Sequence, residues 1–67
     1  MSRVSVPRVV HDGIMAVRAS GLTNMLDHAA AAETATALGY PDAAAWILQN
    51  KAAYARAVLH GIERQRD

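Results

Sequence analysis

Fifteen of the 67 residues are alanine, and they crowd into runs such as Ala29-Ala30-Ala31-Ala32, Ala43-Ala44-Ala45 and Ala52-Ala53. Alanine heads the helix-propensity scale, and strand-type alternation is absent over the lengths that identify a strand. The chain is therefore expected to be helical throughout. Alanine also limits what such helices can bury. Of the 52% of residues that are hydrophobic, only 20 carry larger side chains: six Val, five Leu, three Ile, three Met, two Tyr and one Trp. A chain of this length hides only about 60% of the surface its unfolded form exposes. These features predict a single all-α domain over residues 1–67, a compact bundle of three to four short helices with frayed ends at 1–5 and 63–67. So thin a core also favours self-association or docking on a partner.

Glycine, proline and the capping residues divide the chain. Ser5 is placed to cap a first helix, with Pro7 just inside its start, where a missing N–H matters least. Val6, Val10, Ile14 and Val17 follow at steps of four, four and three, which is one helical face. Gly21 ends that helix in a left-handed conformation, and Gly13 within it permits a close helix approach at a cost of about 1 kcal/mol in propensity. Asp27 is a good N-cap for a second helix from His28 to Leu38, stopped by Gly39. Its side chains are nearly all small, which lets neighbouring helices come close. Tyr40-Pro41-Asp42 opens a third helix ending near Gln49, and Asn50 either stops it or caps a fourth. That fourth helix carries Tyr54, Val58 and Ile62 at steps of four, with Leu59 beside them, and is expected to fray after Gly61. The predicted core is Val10, Ile14, Val17, Met25, Leu38, Ile47, Tyr54, Val58 and Leu59.

The net charge of +1 is unevenly spread. Arg3, Arg8 and Arg18 against Asp12 make residues 1–20 basic. Asp27, Glu33 and Asp42 make residues 21–50 acidic, and Lys51, Arg56, Arg64 and Arg66 against Glu63 and Asp67 make the remainder basic again. No apolar run approaches the roughly 18–20 residues that span a bilayer, and the N-terminal segment lacks the apolar stretch of a secretory signal. A cytoplasmic protein with no membrane partner is the expectation.

Little in the chain supports catalysis. Without cysteine, thiolate and disulfide chemistry are excluded. His11, His28 and His60 form no paired ligand spacing on one helix, so no metal is expected, and no cofactor either. Ser2, Ser5 and Ser20 lie near an end or close a helix, away from any base and orienting group. Asp27 and Glu33, six residues apart, point to different faces. Isolated glycines build no phosphate loop. A non-enzymatic role follows. Nucleic acid is the less favoured partner. The second and third helices have the punctuation of a helix-turn-helix, yet the third offers one Gln and lies in the acidic stretch. Backbone contact from Arg3, Arg8, Arg18, Arg64 and Arg66 would require the two ends to lie together. Trp46 fits either a core position or a partner anchor.

One block is more particular: Ile14-Met-Ala-Val17-Arg18-Ala-Ser-Gly21-Leu-Thr23-Asn24-Met25-Leu-Asp27. With Ala37-Leu-Gly39-Tyr40, Trp46-Ile47, Asn50, Tyr54 and Gly61, it resembles domain of unknown function family 5049, a small helical family largely of phages, prophages and their bacterial hosts. The resemblance covers about residues 10–61. Leu26, where that pattern carries an aromatic, and the alanine-rich second helix depart from it. The resemblance implies a phage-type context and a protein that binds a host or phage macromolecule. Within the block Gly21, Thr23, Met25 and Asp27, with the later Gly39, have structural roles as caps, turn bonds and a core plug. Arg18 is placed to meet the helix C-terminus or Asp27. Arg18, Asn24, His28 and Trp46 are the candidate partner-binding residues. The expected partner is a host or phage protein, with a homodimer as a further form of association and a helix-turn-helix-like regulator as the alternative.

Overall fold

The computed structural model describes residues 3–65. A short strand β1 (Val4–Val6) leads into four helices, α1 (Arg8–Ser20), α2 (His28–Ala37), α3 (Pro41–Gln49) and α4 (Lys51–His60), and a second strand β2 (Ile62–Arg64) follows. The strands pair in parallel, Val4 opposite Ile62, Ser5 opposite Glu63 and Val6 opposite Arg64. The fold is thus predominantly helical but not all-α. Residues 4, 5, 63 and 64, expected to fray, belong to this ladder, and Arg3 and Gln65 flank it; the rest of that expectation, with Ser2, Arg66 and Asp67, lies outside the described residues.

Two residues explain the strands. The ring of Pro7 clashes with a helical conformation of the residue before it, so Val6 is held extended and no helix can begin there. Pro7 itself, at φ −56° and ψ 152°, is the N-cap of α1, and its carbonyl accepts the His11 N–H at 2.9 Å. Ser5, expected as the cap, pairs in β1 instead, and α1 has no side-chain cap. At the far end Gly61 takes φ 104° and ψ 163°, a region essentially open only to glycine, and turns the chain out of α4 into an extended run. The Val4 N–H donates to the Gly61 carbonyl at 3.1 Å and the Gln65 N–H to that of Val6 at 2.8 Å, lengthening the ladder at both ends.

The local punctuation follows the sequence closely. Gly21 closes α1 in the left-handed region at φ 65°. The Asp27 carboxylate accepts the Ala30 N–H at 3.1 Å and caps α2. At the end of α2 the Tyr40 N–H reaches the Ala35 carbonyl at 2.8 Å and the Gly39 N–H reaches that of Thr36 at 3.1 Å. This crossed pair is the Schellman arrangement, with Gly39 at φ 92° supplying the left-handed step. Pro41 then starts α3 at its first position. Asn50 joins α3 to α4: its backbone and side-chain amides both donate to the Trp46 carbonyl, at 2.9 and 3.0 Å.

Val10, Ile14, Val17, Ile47 and Tyr54 are buried as predicted, and Met25, Trp46 and Val58 pack half-buried against them. The remaining core is Val6 from β1 and six alanines, Ala31, Ala32, Ala35, Ala43, Ala44 and Ala57. Leu38 and Leu59, predicted for the core, are 39% and 66% exposed. Leu38 keeps the rotational setting of Ala31 and Ala35 but sits at the very end of α2, beside the turn. Leu59 lies five residues after Tyr54, about 140° around the helix, and so faces outward.

Gly13 marks the tightest crossing. It is buried where α1 meets α3, and a Cβ there would fall onto that of Ala43 and within 2.9 Å of the Tyr40 Cβ. Gly13→Ala therefore trades a better helix residue for an overlap of backbone-anchored atoms. It should lower stability by about 2 kcal/mol in urea unfolding, and an unchanged or higher midpoint would refute the close crossing. The Tyr54 ring is 1% exposed, and its hydroxyl has no hydrogen-bond partner among the described residues. Burial pushes its pKa above the ordinary 10.0. The unfolded chain then ionises first as pH rises, so this contribution to stability is complete below about pH 10 and is lost above it. Tyr54→Phe should raise the neutral-pH unfolding free energy by about 1 kcal/mol and shrink the alkaline loss; a destabilised variant would mean that the hydroxyl is bonded.

Candidate binding site

His11, Ile14, Met15 and Arg18 recur along α1 at steps of three, one and three, a face adjoining the one that carries Val10, Gly13 and Val17 into the core. This second face forms one wall of a cleft of about 520 Å³. Val58 and His60 of α4, with Gly61 and Ile62 beyond it, form the opposite wall, Met25 from the α1–α2 loop closes one side, and Arg3 completes the rim. The lining is divided in character. Ile14, Met25, Val58 and Ile62 are aliphatic or thioether, while Arg3, Arg18, His11 and His60 carry nitrogen donors.

Arg3 is held there by the strand pairing. Its neighbour Val4 bonds the Gly61 carbonyl, and the Arg3 stem crosses Gly61 so closely that a Cβ at that position would stand 3.3 Å from the Arg3 Cγ. Arg18 reaches the cleft from the last turn of α1. Of the two partners open to Arg18, the C-terminus of α1 and Asp27, the second is not taken, since among the described residues Arg18 makes no ion pair and the Asp27 carboxylate caps α2. Asp12 stands 3.3 Å from the His11 Nδ1, but among the described residues no Asp or Glu lines the cleft.

Of the four candidate contact residues only Arg18 lies in this cleft. Asn24 is spent on its own loop: its Oδ1 accepts the Leu26 N–H at 2.9 Å and its carbonyl accepts the Asp27 N–H at 3.0 Å. His28 opens α2 half-buried, and Trp46 lies half-buried on α3 against the core. Thr23 is half-buried in the loop, and Met25 both packs on the core and faces the cleft. Arg3 and His60 were not singled out by the sequence. No local signal joins them, because only the pairing of β1 with β2 brings them together.

A second, shallower depression of about 340 Å³ runs between α2 and α3, lined by Ala32, Glu33, Ala44 and Leu48 among others. Among the described residues no group of three His, Cys, Asp or Glu is placed to hold a metal ion, and no helix is long and apolar enough to cross a membrane.

No curated protein and no solved structure matches the chain. One family does, and its match runs from the cap of α1 to the first residue of β2, so that it takes in the loop and most of the cleft. The model of the domain of unknown function DUF5049 covers residues 7–62, and the chain belongs to that family.

Proposed function

We propose that this chain is a small non-enzymatic interaction protein of phage or prophage type, which binds a host or phage protein in the bacterial cytoplasm and modulates it. One observation carries the reading, the inverted polarity of the loop between α1 and α2. The Asn24 Oδ1 accepts the loop's own Leu26 N–H, and the Asp27 carboxylate accepts the Ala30 N–H in the first turn of α2. Leu22 and Leu26 are left 70% and 57% exposed. A loop whose Asn and Asp oxygens are taken up by nearby backbone N–H groups while its leucines face water is suited to an apolar contact. Self-association into a homodimer belongs to the same reading, since the small core gains stability from any covered surface.

A helix-turn-helix-like nucleic-acid regulator is the second reading. The pairing of β1 with β2 favours it, because it brings Arg3 and Arg64 onto one small sheet region. The outward positions of α3 oppose it, since Asp42, Ala45, Leu48 and Gln49 offer one base-reading side chain.

A tagged chain incubated with lysate of the bacterium that carries the gene, with and without nuclease, separates the two. The interaction reading expects one stoichiometric protein that survives nuclease and is lost from a Leu22→Ser/Leu26→Ser bait, whose changes lie at exposed loop positions. Partners that vanish with nuclease would transfer the function to the regulator, and retention by the double variant would remove the loop from the interface.

A further inference from the structure

We infer that the cleft between α1 and α4 is the seat for an acidic, aliphatic peptide segment of the partner. This inference rests on the interaction reading above and adds to it the site and the chemistry of what is bound. Arg3 and Arg18 stand on the rim, and neither makes an ion pair among the described residues. Two guanidinium groups beside a cleft that no carboxylate of the described residues lines form a positive field, and a planar guanidinium grips a carboxylate through two parallel N–H···O bonds. His60 adds a ring nitrogen at the same rim, while the His11 Nδ1 already faces the Asp12 carboxylate at 3.3 Å.

The interior decides what body carries the charge. Met15, Met25, Val58 and Ile62 offer aliphatic and thioether surface, and among the described residues no Phe, Tyr or Trp lines the cleft. Leu, Ile or Val side chains find matching surface there, with methionine able to adapt to their shape, while oligothymidine tests whether the imidazoles and guanidinium groups prefer a stacked base. About 520 Å³ is the size of a small-ligand pocket, so it takes a short segment rather than a whole helix. The cleft also borders the exposed loop, since Met25 of that loop, between Leu22 and Leu26 in sequence, is one of its lining residues.

The test is fluorescence anisotropy with a fluorescein-labelled hexapeptide of alternating glutamate and leucine. Three other probes are titrated beside it: the same peptide with lysine for glutamate, one with serine for leucine, and oligothymidine. The glutamate–leucine peptide should bind best of the four and weaken as salt is raised. Arg3→Gln/Arg18→Gln, at two exposed positions, should lower its affinity at least about tenfold, the scale of a lost charge-assisted pair, with an unchanged thermal midpoint. Equal binding of the lysine or serine peptide, stronger binding of oligothymidine, undiminished affinity in the double variant, or no binding at all would each overturn the assignment. None of these results touches the lysate experiment, whose partner and leucine dependence stand or fall separately.

Discussion

The ladder between Val4–Val6 and Ile62–Arg64 is the interaction on which the meeting of the two chain ends, and with it the cleft, depends. A parallel pair needs a crossover between its strands, and here all four helices form it. The pairing carries Val6 into the core and holds Arg3 across Gly61. It also joins the two basic segments that the acidic middle of the sequence keeps apart. A two-stranded sheet is marginal by itself in water. It persists here because its inner side rests on helices, with Val4 and Ile62 packed against the same cluster that holds Val6.

Within that frame the helices solve the problem of a core with few large side chains by distance rather than by volume. Alanines line the α2 and α3 faces that meet, and Gly13 lets α1 come down on Ala43 and Tyr40. Close approach restores the dispersion contacts that larger side chains would otherwise supply. Among the described residues one buried side-chain polar group is left over in this packing, the Tyr54 hydroxyl, since the ring that fills the space beneath α4 brings an oxygen with it.

What was legible in the sequence is what is determined locally. Gly21, Asp27, Gly39 and Pro41 act through their own φ/ψ preferences and nearest N–H groups, and each ends or starts a helix as its chemistry requires. The Val10, Ile14 and Val17 stripe is local in the same sense. The strands were not legible, because three residues carry no periodic signal and their conformation is settled by a partner at the other end of the chain. The steric reach of Pro7 onto Val6 was the one local clue, outweighed by the apparent continuity of the valine stripe into Val6. Leucine misled twice: Leu59 lies off the buried face of its helix, and Leu38, on the buried face of α2, lies past its last residue beside the turn. The site divides along the same line: Arg18 stood out within the family block, while Arg3 and His60 have meaning only after the ends meet.

The sequence separation of that ladder bears on how the molecule folds and opens. Val4 meets Ile62 across nearly the whole chain, so the loop-closure entropy of the pairing falls due only when the helices are already assembled. The sheet is then the last part to form and the first to open. Its amides should exchange with solvent through a local opening that leaves the helical cluster intact. Strand substitutions should act on the unfolding rate far more than on the folding rate. Because Arg3 rides on this outermost piece while Arg18 stands on α1, one half of the cationic rim is carried by the least stable part of the fold, where binding would be felt as local tightening rather than as a change of shape.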